Sequence, residues 1–323
     1  VYWRSHGLVC TQCCVRINCR LTYKQTNIET HIGAFEMELT HKERTEMKKH
    51  MSKVLSGKEK PFDGLRARTI VLLTHRVDGA QVFLKMTQSQ PLRMNRFTAW
   101  KYCNLMHTAL RHGTPQILEM MQQPPQQQLL EELSNYWAYH TDAICGCILK
   151  YLELLLHKIE FHKNYAFFTG ALEADITKEW DVDVCFQLCT DIFDYMDQLL
   201  MLQHTIFASL TLQQLAVATP ETMCRLQPLI NIAAECSILY DQASNAMATV
   251  CGKLPPIDVM GLCNRFYALY QRLRGFYSSL QQVKIILKME YVPELSTTVP
   301  DFLAYSNSSA CGRQPTAPPV WQV

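Results

Sequence analysis

The sequence lacks the motifs that mark the common enzyme classes and membrane-spanning proteins. Its 323 residues contain no glycine-rich phosphate-binding loop, no nucleophile elbow and no HExxH zinc-protease helix. No run approaches the roughly 18 consecutive apolar residues that a membrane-spanning helix needs. The first residues do not form a secretory leader, which is charged, then apolar, then ends at a small-residue cleavage site. We therefore expect a non-enzymatic protein without a cofactor, and a secretory route has no support.

Cysteine is plentiful, at 14 residues, but the spacing of a disulfide framework or of a zinc site is missing. Past residue 100 the cysteines are scattered, and many lie in helical apolar patterns, where a free thiol behaves as a small hydrophobic group. Without an export signal we expect a reducing compartment and no disulfides. The one cluster, Cys10, Cys13, Cys14 and Cys19, has no second ligand pair at a zinc spacing, so zinc is only a minor alternative.

Charge is distributed unevenly, although the formal net charge is only +2. Residues 42–113 hold 15 Lys and Arg against 5 Asp and Glu, whereas residues 114–210 hold 4 against 14. A fold with one basic end and an acidic body orients itself in an external field, so the basic end would meet an anionic surface. The basic end contains Lys48, Lys49, Lys53, Lys58, Lys60, Arg66 and Arg68.

Apolar residues recur at three- and four-residue spacings from about residue 41 onward, which is typical of amphipathic helices. The stretch 182–210 contains neither Gly nor Pro and keeps one apolar stripe, which predicts a helix about 40 Å long. Thr-Pro pairs at 114–115 and 219–220 predict helix starts, and the Gln- and Pro-rich stretch 122–128 predicts a break. The other predicted helices are short ones within 50–95, then 101–110, 129–162 with a possible interruption near residue 140, 221–250 and 258–289.

No alternating strand pattern and no fixed-period repeat accompany these helices. Antiparallel helices with short breaks form a bundle or a solenoid. We predict an all-α fold, a right-handed helical solenoid. Residues 1–40 are expected to be a disordered or non-native leader, residues 41–292 the helical domain, and residues 293–323 a loose tail rich in Pro, Ser and Thr.

Carboxylates are grouped in the middle of the longest gap-free helical pattern. Asp191, Asp194 and Asp197 are three residues apart and share a helix face, as in the magnesium–diphosphate sites of all-helical prenyl-transfer enzymes. Such a site needs a second polar motif on a facing helix, and we find none, so a solvated helix face is the preferred interpretation and a magnesium enzyme the remote alternative. His157 and His162 are five residues apart, on different helix faces, which favours surface positions over metal ligation.

A series of sequence fragments, in order along residues 50 to 303, resembles the ANTH domains of the huntingtin-interacting-protein family. The most specific fragments are ARTIVLLTH at 67–75 and GAQVF at 79–83, because this branch carries a similar pattern after a serine-lysine start, here at 52–53. The remaining fragments lie at 54–55, 100–103, 110–113, 136–137, 152–162, 186–188, 193–195, 224–230, 237–241 and 300–303.

The resemblance implies an ENTH/ANTH-like helical solenoid that binds phosphoinositide headgroups. ANTH domains of this kind use a lysine near the end of the first helix and, ten residues later, a Lys-x-Lys/Arg-His/Tyr cluster. Aligned without gaps, the lysine is Lys53, and the cluster positions fall on Asp63, Leu65 and Arg66. The first and last cations are therefore kept, whereas the middle two are replaced, one of them by an acid.

Nearby basic residues can substitute for the two missing cations, because charge-assisted bonds to phosphate are strong. Each basic residue near an anionic leaflet contributes roughly 1 kcal/mol of attraction. The predicted phosphoinositide-binding residues are Lys53, Lys58, Lys60, Arg66 and Arg68.

The resemblance also implies a cytoplasmic adaptor of clathrin-mediated endocytosis, peripheral on the plasma membrane and on clathrin-coated vesicles. Full-length relatives bind clathrin light chain through a coiled coil and F-actin through a further module. No heptad run follows residue 289, so we expect a fragment or short form whose clathrin and actin contacts come from absent regions. The main alternative is a protein-interaction module that ignores lipid, and a nucleic-acid partner is not expected because no recognition helix or RNA-binding motif is found.

Overall fold

The computed structural model describes residues 37–174, 176 and 180–302. These residues form α-helices joined by short connections, and no β-strand occurs among them. In chain order the helices are α1 (His41–Val54), α2 (Gly64–Leu73), α3 (Gly79–Gln88), α4 (Arg96–His112), α5 (Pro115–Met121), α6 (Pro124–Ala138), α7 (Ala143–Asn164), α8 (Val182–Ala208), α9 (Leu212–Leu215), α10 (Pro220–Leu226), α11 (Leu229–Lys253) and α12 (Pro256–Leu287).

Short polar side chains and prolines set the helix starts. Thr40 and Glu43 form a capping box at α1, in which each side chain binds the backbone N–H of the other residue. Asp63 caps α2 and Asn95 caps α4, each accepting from two free N–H groups of the first turn. Helices α5, α6, α10 and α12 begin with proline, which needs no hydrogen-bond acceptor there.

Successive helices pack against one another around α8, which contacts α7, α11 and α12. At the N-terminal end, α1 packs on α2 and α3, and α2 packs on α4. Helix α4 therefore links this end to the body, since it also packs on α7. Within the described ranges, no helix combines the length and the apolar character that crossing a bilayer would require.

A buried carboxylate, Glu235 on α11, lies where four helices meet. Its Oε1 accepts from Lys158 Nζ of α7 at 2.7 Å, and its Oε2 accepts from Tyr195 of α8 at 2.7 Å. His107 Nε2 of α4 lies 3.0 Å from Oε1 without the alignment of a hydrogen bond, and Arg111 Nε of α4 is 3.7 Å away. All five side chains are buried, so this ion cluster joins α4, α7, α8 and α11 inside the core.

Two opposing effects set the pKa of Glu235. Burial alone would raise the pKa of its carboxyl, but the neighbouring His107, Lys158 and Arg111 together hold it well below its ordinary value. Burial likewise lowers the pKa of Lys158, and Glu235 opposes that change. Glu235 and its basic neighbours therefore stabilise one another's charged forms inside the core.

The structure confirms the helical periodicity and corrects several boundaries. The predicted helix 182–210 is α8, and 258–289 is α12. The stretch 129–162 is two helices, interrupted near residue 140 as the prediction allowed. The predicted break at 122–128 is confirmed but is shorter, because α5 ends at Met121 and Pro124 already begins α6. The prediction of a single helix over 221–250 was wrong, because Gln227 and Pro228 separate α10 from α11.

Buried side chains test two further expectations. The nine described cysteines are free thiols, and eight of them are buried, as expected for small hydrophobic groups. The expected surface position of His162 was wrong: it is 3% exposed, with its ring nitrogens 2.9 Å from the Lys158 carbonyl and 3.0 Å from the Thr169 carbonyl. The clustered cysteines near the start of the chain lie outside the described residues.

The expected leader and tail are described only in part. Leu39 is buried, and its N–H donates to Asp78 at 2.7 Å, so the last residues before α1 already belong to the fold. Beyond α12, the segment to residue 302 was expected to be loose but packs back on that helix. There the ring of Phe302 lies 5.0 Å from that of Phe266.

Replacing Glu235 by Gln should destabilise the fold strongly. The change leaves Lys158 and Arg111 buried without a counter-charge, which costs about 3–5 kcal/mol of unfolding free energy, measured by urea denaturation at pH 7. The exposed Glu290→Gln variant is the matched control and should change this free energy by less than about 0.5 kcal/mol. Equal urea midpoints for Glu235→Gln and the parent chain would contradict a stabilising cluster.

The same cluster predicts the direction of the pH dependence. Because the native pKa of Glu235 is depressed, its contribution is fully present above the unfolded-state pKa of about 4.3 and is lost as the pH falls toward the native value. Urea titrations at a series of pH values below 5 should therefore show a steeper loss of unfolding free energy in the parent chain than in Glu235→Gln.

Candidate lipid-binding site

The predicted cations are brought together where α1 ends and α2 begins. Lys53 is exposed in the last turn of α1, Lys58 and Lys60 are exposed in the connecting loop, and Arg66 and Arg68 lie in the first turns of α2. Because the loop of residues 55–63 joins these two helix ends, all five belong to one end of the molecule. The basic end predicted from charge counting is therefore a contiguous part of the chain.

Most of these five cations have no counter-ion among the described residues. Lys53, Lys58, Lys60 and Arg68 form no ion pair with a described carboxylate. The two acids of this stretch are engaged elsewhere: Glu59 accepts from Arg225 of α10 at 2.6 Å, and Asp63 pairs with Arg66. Within the described residues, Lys53, Lys58, Lys60 and Arg68 are thus four exposed cations without an ion pair, whereas Arg66 is paired with Asp63.

Asp63 occupies the N-terminus of α2. Its Oδ1 accepts from the N–H groups of Leu65 at 3.0 Å and Arg66 at 3.3 Å, and its Oδ2 accepts from the Arg66 guanidinium at 3.0 Å. Helix N-termini favour anions because their N–H groups are free and the helix dipole is positive there. The carboxylate of Asp63 takes this position itself, so it competes with any phosphate at the same amides.

Leu65 is exposed beside these charges. Its side chain is 65% exposed in the first turn of α2, whereas Ala67, Ile70 and Val71 on the opposite face are buried. The residue at the third position of the family's cation cluster is therefore an apolar side chain that contacts solvent.

A buried lysine of α4 binds the backbone of the loop of residues 55–63. The Nζ of Lys101 donates to the Ser56 carbonyl at 2.6 Å, the Ser56 hydroxyl at 3.1 Å and the Lys58 carbonyl at 2.7 Å. Burial lowers the pKa of Lys101, and Lys60 adds to the effect. Three oxygen acceptors nevertheless satisfy the ammonium group, so the loop backbone has a defined position beneath its exposed lysines.

Helix α10 and the residue after it hold the other half of the loop. Gln227 binds the backbone of the buried Phe62 twice, accepting from its N–H at 3.1 Å and donating to its carbonyl at 3.2 Å. Arg225 of α10 adds the ion pair with Glu59. Lys101, Arg225 and Gln227 all lie in fragments that carry the family resemblance, but sequence reasoning assigned them no role, because the pattern gives no sign of which loop they contact.

The acidic group of α8 has a structural use. Asp194 and Asp197 pair with Arg265 of α12 at 2.5 and 3.1 Å, and Asp197 also pairs with Arg272. Asp191 accepts from the Tyr165 hydroxyl at 2.5 Å. Asp194 and Asp197 thus join α8 to α12, whereas Asp191 binds the residue that follows α7. All three side chains remain partly exposed, on the helix face that was predicted to be solvated. No group of three metal-ligating side chains positioned to hold an ion occurs in the described part of the chain.

Solved structures of ENTH and ANTH domains share this fold. The ENTH domain from epsin-2, in complex with phosphatidylinositol 4,5-bisphosphate, matches with a TM-score of 0.67 and 19% identity over 80% of this chain and 100% of its own. Helical ANTH and ENTH tubules on membranes containing that lipid match with a TM-score of 0.60 and 19% identity, over 82% and 99%. At this identity the likeness shows the fold alone, and it confirms the predicted all-α ENTH/ANTH-like architecture.

Proteins with similar sequences show which family the chain belongs to. Huntingtin-interacting protein 1 from Homo sapiens is 30% identical over 261 residues, 79% of this chain and 25% of the human protein. Huntington interacting protein related 1 from Caenorhabditis elegans is 27% identical over 262 residues, 80% and 28% of the two chains. The chain thus spans about a quarter of the length of these relatives. The family model described as the ANTH domain matches residues 46–309, and the chain belongs to the ANTH domain family.

Proposed function

We propose that this chain is the membrane-attaching domain of an endocytic adaptor and that its basic end binds anionic bilayers containing phosphoinositides. The observation that carries the proposal is a set of four exposed cations that pair with no described carboxylate, Lys53, Lys58, Lys60 and Arg68. They lie on and beside a loop that is bound by Lys101 of α4 and by Gln227. At roughly 1 kcal/mol for each cation near an anionic leaflet, their summed attraction is enough for reversible attachment.

The relatives and structural neighbours support this role. Endocytosis protein end4 from Schizosaccharomyces pombe is 20% identical over 255 residues, 77% of this chain and 23% of the yeast protein, and its name places that protein in endocytosis. The neighbouring ENTH and ANTH structures were solved with a phosphoinositide or on membranes that contain it. We infer a non-enzymatic role on the cytoplasmic side of the plasma membrane and on clathrin-coated vesicles, with clathrin light chain and F-actin bound by other parts of a longer protein.

A second candidate is a protein-interaction module that does not bind lipid. It is favoured by Asp63, whose carboxylate already fills the anion-binding N-terminus of α2 and pairs with Arg66. Partitioning into vesicles distinguishes the two candidates, because the second predicts no binding to anionic or neutral bilayers.

Reversing three charges of the basic end should abolish vesicle binding. We expect Lys53→Glu, Lys58→Glu and Lys60→Glu together to weaken binding to phosphatidylserine vesicles with phosphatidylinositol 4,5-bisphosphate by at least about a hundredfold, since each cation contributes roughly 1 kcal/mol. Co-sedimentation measures binding, and far-ultraviolet circular dichroism checks that the helices persist.

The matched control reverses three cations in the second half of α12 and just after it. Arg274→Glu, Lys284→Glu and Lys288→Glu together make the same change in net charge far along the chain. An equal loss of binding in both triple variants would show that net charge, not the basic end, attracts the bilayer.

Removing the carboxylate of Asp63 should strengthen membrane binding. Ser at this position still caps α2 through its hydroxyl, but Arg66 is released and one negative charge is lost. We expect Asp63→Ser to bind the same vesicles about fivefold more tightly, which corresponds to about 1 kcal/mol. The control is Asp181→Ser, which changes the N-cap of α8 and the net charge in the same way, and it should leave vesicle affinity unchanged.

A further inference from the structure

An apolar side chain stands among the exposed cations of the basic end. Leu65 is 65% exposed, one residue before Arg66 and three before Arg68, and follows closely after the loop lysines Lys58 and Lys60. Single exposed leucines are common on protein surfaces and need no explanation by themselves. This one differs because Lys58, Lys60 and Arg68, close to it in the chain, are positive and pair with no described carboxylate. A surface that contacts Leu65 would therefore have to be anionic as well as apolar.

The position of Leu65 is rigid. Its N–H donates to Asp63 at 3.0 Å, and α2 is anchored through Ala67, Ile70 and Val71, which are buried on the other face. The preceding loop is held by the ammonium group of Lys101. An approaching surface therefore meets the leucine without a prior rearrangement, so little ordering entropy opposes the contact.

The chemistry around Leu65 suits a bilayer better than a single headgroup. An anionic leaflet attracts the four cations, whose long side chains can keep their charges among the phosphates while an apolar neighbour enters the acyl region. A lone headgroup offers nothing to a leucine. Two of the first-turn N–H groups of α2 that could bind a phosphate, those of Leu65 and Arg66, are already bonded to Asp63.

We propose that Leu65 inserts into the bilayer and that this chain recognises an anionic lipid surface by insertion and diffuse charge instead of coordinating one phosphoinositide headgroup. The inference rests on the proposed membrane attachment and specifies its mode. Leu65 and Asp63 then determine specificity together: the leucine requires an acyl phase, and the carboxylate keeps phosphate away from the helix N-terminus.

The first test replaces Leu65 by Ser. Loss of the buried apolar area should weaken binding to phosphatidylserine vesicles about tenfold, with no change in net charge. The matched control is Ile285→Ser near the end of α12, an aliphatic side chain 90% exposed, which should bind as the parent chain does. Leu65→Met should restore most of the affinity, since it returns an apolar side chain of similar volume.

A second measurement reports directly how deeply the side chain at position 65 enters the bilayer. The indole of a Leu65→Trp variant should shift to shorter emission wavelength on vesicles and be quenched by brominated acyl chains, whereas that of Ile285→Trp should do neither. An unquenched indole at position 65 on vesicles that bind the variant would overturn insertion.

A third experiment distinguishes binding to the bilayer from binding to the free headgroup. Soluble inositol 1,4,5-trisphosphate in excess should leave the vesicle-bound fraction unchanged, and displacement by it would overturn the proposal in favour of headgroup coordination. Equal vesicle affinity of Leu65→Ser and the parent chain would overturn insertion alone. Failure of the parent chain to bind any anionic vesicle would overturn both insertion and the proposed membrane attachment.

Discussion

The buried carboxylate of Glu235 is the constraint on which the rest of the fold depends. A charge removed from water is tolerated only when its partners surround it, and here the partners come from α4, α7 and α8. The packing of these helices is therefore fixed by polar geometry as well as by apolar contact. Helix α4 carries both His107 and Lys101, so the element held by the core cluster is also the one that holds the loop of the basic end.

The body and the basic end differ in how far their charged side chains form ion pairs. On the body, the α8 carboxylates Asp194 and Asp197 are matched by Arg265 and Arg272 of α12, so part of the acidic excess seen in the sequence is paired. At the basic end, by contrast, Glu59 and Asp63 are paired, and most of the cations have no partner in the part of the chain that the structure describes. The fold therefore keeps unpaired positive charge at the basic end, while these two α8 carboxylates bind the neighbouring helix α12.

Much of the fold, and less of the site, could be predicted from the sequence. The period of apolar residues places α8 and α12 almost to their ends, because it depends on local geometry. Breaks such as the one at Pro228 are missed, since a proline can begin a helix as well as end it. The location of the basic end follows from charge counting, whereas the pairing of Arg66, the burial of His162 and the bonds of Lys101 depend on residues distant in sequence.

The bonds from α10 to the loop of residues 55–63 have a consequence for dissection of the chain. Gln227 and Arg225 reach back over more than 160 positions to Phe62 and Glu59, as their sequence separations of 165 and 166 show. A truncated piece that stops before Pro220 would keep every cation of the basic end and yet lose half of the framework that shapes it. The smallest recombinant unit with a native basic end must therefore extend from α1 at least to Gln227, the residue after α10.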